Sequence, residues 1–154
     1  MKPLKLILNV DGFWRESNKI CIPPISGVYI VYENKYNKSD DTIELKRILY
    51  IGESDNMNES VIHHKNYAIW KSNLNSNCEL SFAVVPVVSF HRSLVKSAYI
   101  YQHRPILNDY TQFTFDFEKI VLISVGKIGL IEPNIDLEKE NKTFSNDKNQ
   151  LRIN

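Results

Sequence analysis

The sequence lacks the features that mark disulfide-rich, zinc-binding and membrane proteins. Its two cysteines, Cys21 and Cys78, form no CxxC or Cys/His pattern, so neither a zinc site nor a disulfide framework is predicted. No apolar run approaches the roughly 18 residues of a membrane span, and the short, mixed residues 1–10 do not indicate a signal peptide. These absences predict a soluble, reduced, cytoplasmic protein that has no membrane partner.

An excess of charge of either sign is also absent. The 19 Lys and Arg residues nearly balance 18 Asp and Glu residues, which gives a formal net charge of +1. Proteins that bind nucleic acid over a broad surface are usually more basic, so any such contact here must be local. The near-neutral charge therefore favours a protein partner over broad, high-affinity DNA binding.

The 154 residues, of which 43% are hydrophobic, are enough for a domain with its own core. The hydrophobic pattern predicts an α+β fold. Predicted strands and β-like segments are residues 4–10, 27–32, 47–52, 79–88, 113–117 and 120–125. Predicted helices follow residue 54 and span residues 92–103, with a short helix or turn between them.

Four segments are predicted along the chain. They are an N-terminal strand and lead-in at 1–25, a core at 26–109, a β-rich extension at 110–132, and a polar, loosely ordered tail at 133–154. Within the core, polar residues 33–45 predict a long loop or hairpin tip. This loop is also a candidate insertion for binding a partner.

Glycine is scarce, with 5 residues, yet two β-rich stretches each pair a glycine with a tyrosine. The first is GVY, from Gly27 to Tyr29, and the second is YIG, from Tyr50 to Gly52. Their strands are predicted to form an antiparallel hairpin.

A helix is predicted directly after the YIG stretch, with Ser54 or Asp55 as its cap. Met57, Val61 and His64 follow at i, i+4 and i+7, which places them on one helix face, with Ser60 beside them. Further along, HRPILN ends the last predicted helix and contains Asn108.

In this order, the motifs resemble the signature of the GIY-YIG nuclease family over roughly residues 26–109. The resemblance implies a central antiparallel three-stranded sheet flanked by helices, to which this chain adds N- and C-terminal strands. It also implies hydrolysis of nucleic-acid phosphodiesters with one divalent metal ion. The retained positions are Gly27, Gly52, Ser54 and Asn108 as binding or framework residues.

By the same resemblance, Tyr29, Tyr50 and His64 act on the attacking water. The family has an arginine on the first helix to stabilise transition-state charge, and its position here is Ser60. The metal-binding glutamate lies nine residues before the closing proline, Pro105, and that position is Lys96. A hydroxyl carries no charge, and an ammonium cannot bind a metal cation.

The sequence therefore predicts a degenerate, inactive nuclease fold, a pseudoenzyme that binds nucleic acid or a protein as a regulatory module. No cofactor is expected. An active, Mg²⁺-dependent endonuclease of restriction or mobile-element type, with rewired residues, is the first alternative, and an unrelated α+β binding domain is the second. Deliberate inactivation by mutation would also explain Ser60 and Lys96, although alanine or glutamine would be expected there.

Each site residue also has an ordinary structural explanation. Tyr29 and Tyr50 are typical strand residues, and Gly27 and Gly52 are typical of strand ends. A histidine on a helix face, such as His64, is often only a hydrogen-bonded surface residue. A structure in which both tyrosines and His64 converge on one pocket would favour the nuclease-like interpretation.

Overall fold

The computed structural model describes residues 2–139, and every structural statement below concerns this part of the chain. Its strands are β1 Leu4–Arg15, β2 Gly27–Asn37, β3 Thr42–Ser54, β4 Glu79–Pro86, β5 Ile120–Gly126 and β6 Asn134–Leu137. Its α-helices are α1 Met57–Ile62, α2 Tyr67–Ser72 and α3 Ser89–His103. Two short 3-10 helices span Glu16–Cys21 and Tyr110–Gln112.

The strands form one mixed sheet in the order β3-β2-β4-β1-β5-β6. Neighbouring strands are antiparallel except for β1 and β5, which are parallel. The predicted α+β class is confirmed. The predicted three-stranded central sheet is not confirmed, because β3, β2 and β4 are adjacent members of a six-stranded sheet.

Strand β1 spans both halves of this sheet. Its residues 4–10 pair with β5, and its register with β4 runs from Asp11 to Arg15. The sequence predicted a strand that ends at residue 10. That prediction was wrong because Phe13 packs against the core beside Tyr32, which keeps the chain extended.

The hairpin of β2 and β3 is longer and its turn tighter than predicted. Pairing continues to Asn37 and Thr42, which leaves residues 38–41 as the turn. The long loop predicted at 33–45 was wrong because polar residues within it are buried. Glu33 is fully buried and accepts hydrogen bonds from the side chain of Arg47 at 2.7 Å and the backbone N–H of Asn75.

Two C-terminal predictions also need correction. Residues 113–117 form no strand, and Phe115 is instead buried from a loop, against Tyr101. Strand β6 lies within the segment predicted as a polar tail, because Ile135 is buried where β6 pairs with β5. Residues 140–154 of that predicted tail lie outside the described residues.

The two faces of the sheet carry separate apolar clusters, because successive strand residues point to opposite faces. Val28 and Ile30 of β2 pack in the cluster that includes α3 residues, whereas Tyr29 and Val31 pack with α1 and α2. The tyrosines of the two quoted stretches therefore belong to the α1/α2 face. Among residues 2–139, no helix has both the length and the apolar character needed to cross a membrane.

Candidate functional site

Both glycines of the GVY and YIG stretches permit close packing. Tyr29 pairs with Gly52 across the hairpin, and a Cβ at Gly52 would overlap the Tyr29 ring. A Cβ at Gly27 would overlap the carbonyl oxygen of Val85 and lie 2.8 Å from Cε of Met57. The two glycines therefore leave room for a tyrosine ring and for the first residue of α1.

A β-bulge directs Tyr50 towards the site. Val31 pairs with Tyr50 but Tyr32 pairs with Ile48, so Leu49 is an extra residue in β3. Leu49 and Tyr50 consequently both pack against the α1/α2 cluster. No pattern in the sequence predicts this bulge.

Tyr29, Tyr50 and His64 converge, as the resemblance implies. The ring centroids are 6.2 Å apart for Tyr29 and Tyr50, 6.4 Å for Tyr29 and His64, and 5.2 Å for Tyr50 and His64. Trp70 of α2, which the sequence indicated only as a core residue, lies 4.5 Å from the His64 ring and 5.4 Å from the Tyr50 ring. We call these four residues the aromatic cluster.

The side chain of Ser60 is hydrogen-bonded to the phenol of Tyr29. Its hydroxyl donates a hydrogen bond to Oη of Tyr29 at 3.3 Å. Burial raises the pKa of Tyr29, and burial likewise raises the pKa of Tyr50. Both phenols are therefore protonated at neutral pH, and the position that the resemblance assigns to arginine holds a neutral hydroxyl.

His64 accepts a hydrogen bond through Nδ1 from the backbone N–H of Asn66, at 3.0 Å. In the neutral ring this acceptor role leaves the proton on Nε2. Burial, with a smaller contribution from the ammonium of Lys65, lowers the pKa of His64. The ring is thus held as a neutral Nε2–H donor, which cannot take a proton from water at that nitrogen.

Lys96 does not join the aromatic cluster. It lies on α3, which packs on the other face of the sheet, and it makes no hydrogen bond or ion pair with residues 2–139. One turn earlier, Arg92 donates to Glu53 at 3.3 Å and to Ser26 at 2.9 Å. The side chain of Ser93 also donates to Glu53, at 3.2 Å.

The donor set does not fit the metal ion that the resemblance implies. Mg²⁺ is usually held by carboxylates, and Lys96 occupies the position where one is required. Glu53, the carboxylate beside the YIG glycine, is already engaged by Arg92 and Ser93. Within residues 2–139, no group of three or more His, Cys, Asp or Glu side chains is arranged to bind a metal.

Ser54 and Asn56 organise the turn into α1. The hydroxyl of Ser54 accepts from the N–H of Asn56 at 3.0 Å and donates to its carbonyl at 2.9 Å. The helix cap is Asn56, whose side chain accepts from the N–H of Glu59 at 3.1 Å. The prediction that Ser54 or Asp55 caps the helix was therefore wrong by one or two residues.

Asn108 braces the outer edge of β3. Its side-chain amide donates to the carbonyl of Ile51 and accepts from the N–H of Ile51, each at 2.9 Å. The N–H of Leu107 also donates to the carbonyl of Leu49 at 3.0 Å. Asn108 thus fixes the loop after α3 to the strand that carries Tyr50.

An open groove of about 700 Å³ lies beside Tyr50. It is lined by Tyr50, Lys65, Asn66, Ile106, Leu107, Asn108, Asp109, Gln112 and Phe113. The sequence indicated Tyr50 and Asn108 as site residues but missed Gln112 and Phe113, because no motif links them to the hairpin. The retained tyrosine therefore opens onto a surface with aromatic, amide and cationic groups.

Comparison with protein-family models, curated proteins and solved structures finds no significant match to this chain.

Proposed function

We propose that this protein is a GIY-YIG-like nuclease-fold module that binds nucleic acid around Tyr50 without cleaving it. One observation carries the proposal. Tyr29, Tyr50 and His64 converge, but the residue beside them at the cation position, Ser60, supplies only a hydroxyl bonded to Tyr29. The framework of the implied site is present while its charged groups are missing.

Each chemical requirement of cleavage is unmet in this arrangement. Both phenols stay protonated, and His64 offers a proton at Nε2 where a base must accept one. Losing one preorganised electrostatic group typically lowers a rate by about 10²- to 10³-fold, and both the cation and the metal-binding carboxylate are absent here. Binding needs none of these groups.

The proposal is tested with a cleavage assay on single- and double-stranded DNA and RNA, supplied with Mg²⁺ or Mn²⁺. We expect no cleavage and expect binding that persists in EDTA. Divalent-metal-dependent cleavage by the natural sequence, removed by Tyr29→Phe, would overturn the proposal.

A gain-of-function arm uses Ser60→Arg together with Lys96→Glu, which places both missing charges at their implied positions. Because position 96 lies on α3, on the other face of the sheet from Ser60, we expect this double variant to remain inactive as well, and metal-dependent cleavage by it would contradict the proposal. The matched control is Ser39→Arg with Lys38→Glu, the same exchange at the exposed hairpin turn, which is expected to stay inactive.

The pair formed by Glu53 and Arg92 favours a second candidate, an active endonuclease with rewired residues. This pair supplies a carboxylate and a guanidinium at the end of β3, and the Glu53 charge contributes to the raised pKa of Tyr29. Any cleavage by the natural sequence would in this case be abolished by Glu53→Gln. Retention of cleavage in that variant would exclude Glu53 as the metal-binding group.

An apolar patch favours a protein as the alternative partner. At the start of α3, Phe90 is 88% exposed and Val88 is 65% exposed, and Ile25 lies at the same small depression as Val88. Exposed apolar patches often mark protein interfaces. If the chain binds no nucleic acid, this patch becomes the place to look for its partner.

A further inference from the structure

We propose that the groove beside Tyr50 stacks an unpaired base of a single-stranded nucleic acid. This inference rests on the proposed function, because it assigns the class of nucleic acid that the same surface takes. It goes further because it assigns contacts with the nucleotide to the loop after α3 as well as to the motif residue Tyr50.

The groove has two aromatic rings that suit base stacking. Tyr50 packs against the rings of His64 and Trp70, at centroid distances of 5.2 Å and 5.4 Å. Phe113 is on the loop that Asn108 fixes to β3. Stacking on aromatic side chains tolerates any base and needs an unpaired one, since a base inside a duplex has both faces covered.

Two cations flank these rings. The ammonium of Lys65 is exposed at the groove, and the guanidinium of Arg104 lies 5.6 Å from the centroid of Phe113. Positive side chains next to stacking rings are the usual arrangement for following a single-stranded backbone. This small footprint is consistent with a whole-chain charge of only +1.

The polar lining orients the nucleotide. The side-chain oxygen of Gln112 accepts from Asn108 at 3.2 Å, which leaves its NH₂ group for a ligand. The side-chain amide of Asn66 makes no hydrogen bond within residues 2–139. The carboxylate of Asp109 repels phosphate but can accept a hydrogen bond from an exocyclic amine of a base. In the proposed orientation the base therefore faces Asp109, and the phosphate faces Lys65 and Arg104.

The test is fluorescence anisotropy with a labelled oligonucleotide of about 12 nucleotides, single-stranded or as the matching duplex, at about 50 mM salt. We expect the single strand to bind more tightly than the duplex. Phe113→Ala should weaken single-strand binding about tenfold, and Lys65→Glu should weaken it several-fold and reduce its salt dependence. The matched controls Phe90→Ala and Lys38→Glu change exposed residues outside the groove and should leave binding unchanged.

Lys65→Glu keeps the test decisive if Phe113→Ala perturbs folding, because Lys65 is exposed whereas Phe113 packs partly against the core. An oligonucleotide with 4-thiothymidine should crosslink to Tyr50 or Phe113. If nucleic acid binds but Lys65→Glu has no effect, or if the duplex binds as tightly as the single strand, the groove assignment is overturned and the proposed function stands. If the natural sequence binds no nucleic acid, both are overturned.

Discussion

At the residue scale, Tyr29 and Gly52 form a closely packed pair in the candidate site. The Tyr29 side chain is 2% exposed, and its ring occupies the space that any side chain at position 52 would need. Ser60 then bonds the hydroxyl at the end of this ring. The position of the phenol is therefore set by a neighbouring strand and a helix together.

We expect Gly52→Ala to destabilise the protein by about 1–3 kcal/mol, the usual range for overpacking. The added methyl group must displace the Tyr29 ring or the β3 backbone. The measurement is the free energy of unfolding in urea for Gly52→Ala, Tyr29→Ala and the double variant.

In a protein that already carries Tyr29→Ala, Gly52→Ala should lower the free energy of unfolding by clearly less, because the ring that the new methyl group overlaps is gone. If the losses in free energy of unfolding of the two single variants simply add up in the double variant, the proposed overlap is contradicted.

The sequence indicated Tyr29, Tyr50 and His64 as candidates better than it indicated their chemistry. The resemblance to the GIY-YIG signature brought these three residues together as candidates. The acceptor role of His64 Nδ1 depends on the backbone of Asn66, two residues away, and no residue type encodes that geometry. Lys96 was expected in the pocket, yet α3 packs on the opposite sheet face, which helical spacing cannot indicate.

At the scale of elements, strand β3 is an outer edge of the sheet and carries two of the candidate site residues, Tyr50 and Gly52. An edge strand exposes unpaired backbone groups, and here Asn108 covers those of Ile51. The bulge at Leu49 lies on the same strand and directs Tyr50 into the site. The loop after α3 and the bulge together determine where Tyr50 and the groove meet.

We expect Asn108→Ala to lower the free energy of unfolding by about 2–3 kcal/mol, because it leaves both buried backbone groups of Ile51 without partners. Asn108→Asp should not rescue stability, since a carboxylate cannot donate to the Ile51 carbonyl. Both are measured by urea unfolding.

The matched control is Asn9→Ala, at an exposed position of β1, which should change stability by less than about 0.5 kcal/mol. An equal loss in Asn9→Ala and Asn108→Ala would argue against a bracing role for Asn108.

Element prediction succeeded where the apolar pattern is pronounced and failed where polar residues are buried within a strand. Strand β4 and helix α3 follow their hydrophobic patterns. The continuation of β2 through Glu33 was missed because a buried carboxylate resembles a loop residue in sequence. Burial by itself would raise the pKa of Glu33, yet hydrogen bonds from Asn75 and Arg47 hold it below its usual range.

At the scale of the whole molecule, two histidines act as hydrogen-bond acceptors on separate segments. His64 Nδ1 accepts from Asn66, and His103 Nε2, at the end of α3, accepts from the N–H of Glu132 at 3.1 Å. Burial lowers the pKa of both rings, partly opposed at His103 by the Glu132 carboxylate. The fold therefore favours the neutral form of each ring.

We expect stability to be constant above the unfolded-state pKa of about 6.5 and to fall as the pH drops below it. The sign follows because the unfolded chain binds these protons more readily than the folded chain. Urea unfolding at several pH values between about 7.5 and 5 measures the effect.

His103→Gln, which keeps an acceptor for Glu132 but does not titrate, should reduce this dependence on pH. His63 accepts no backbone hydrogen bond within residues 2–139, so His63→Gln is the matched control. A pH profile unchanged by His103→Gln would refute the role assigned to that ring.

Whole-molecule organisation was the least predictable level. The predicted boundaries at residues 25 and 109 follow the extent of the resemblance and the boundary at residue 132 follows composition, whereas the sheet joins β1, β5 and β6 to the hairpin across them. The parallel pairing of β1 with β5 leaves no local signal, because the two strands are far apart in sequence and neither carries a motif.

The position of β1 has a consequence for synthesis on the ribosome. Strand β1 finds its parallel partner, β5, only after β2, β3, β4 and the helices between them have emerged. Until then the apolar residues of β1, such as Leu6 and Leu8, lack their neighbouring strand on one side. Such long-range pairing slows folding, so we expect the nascent chain to depend on chaperones during that interval.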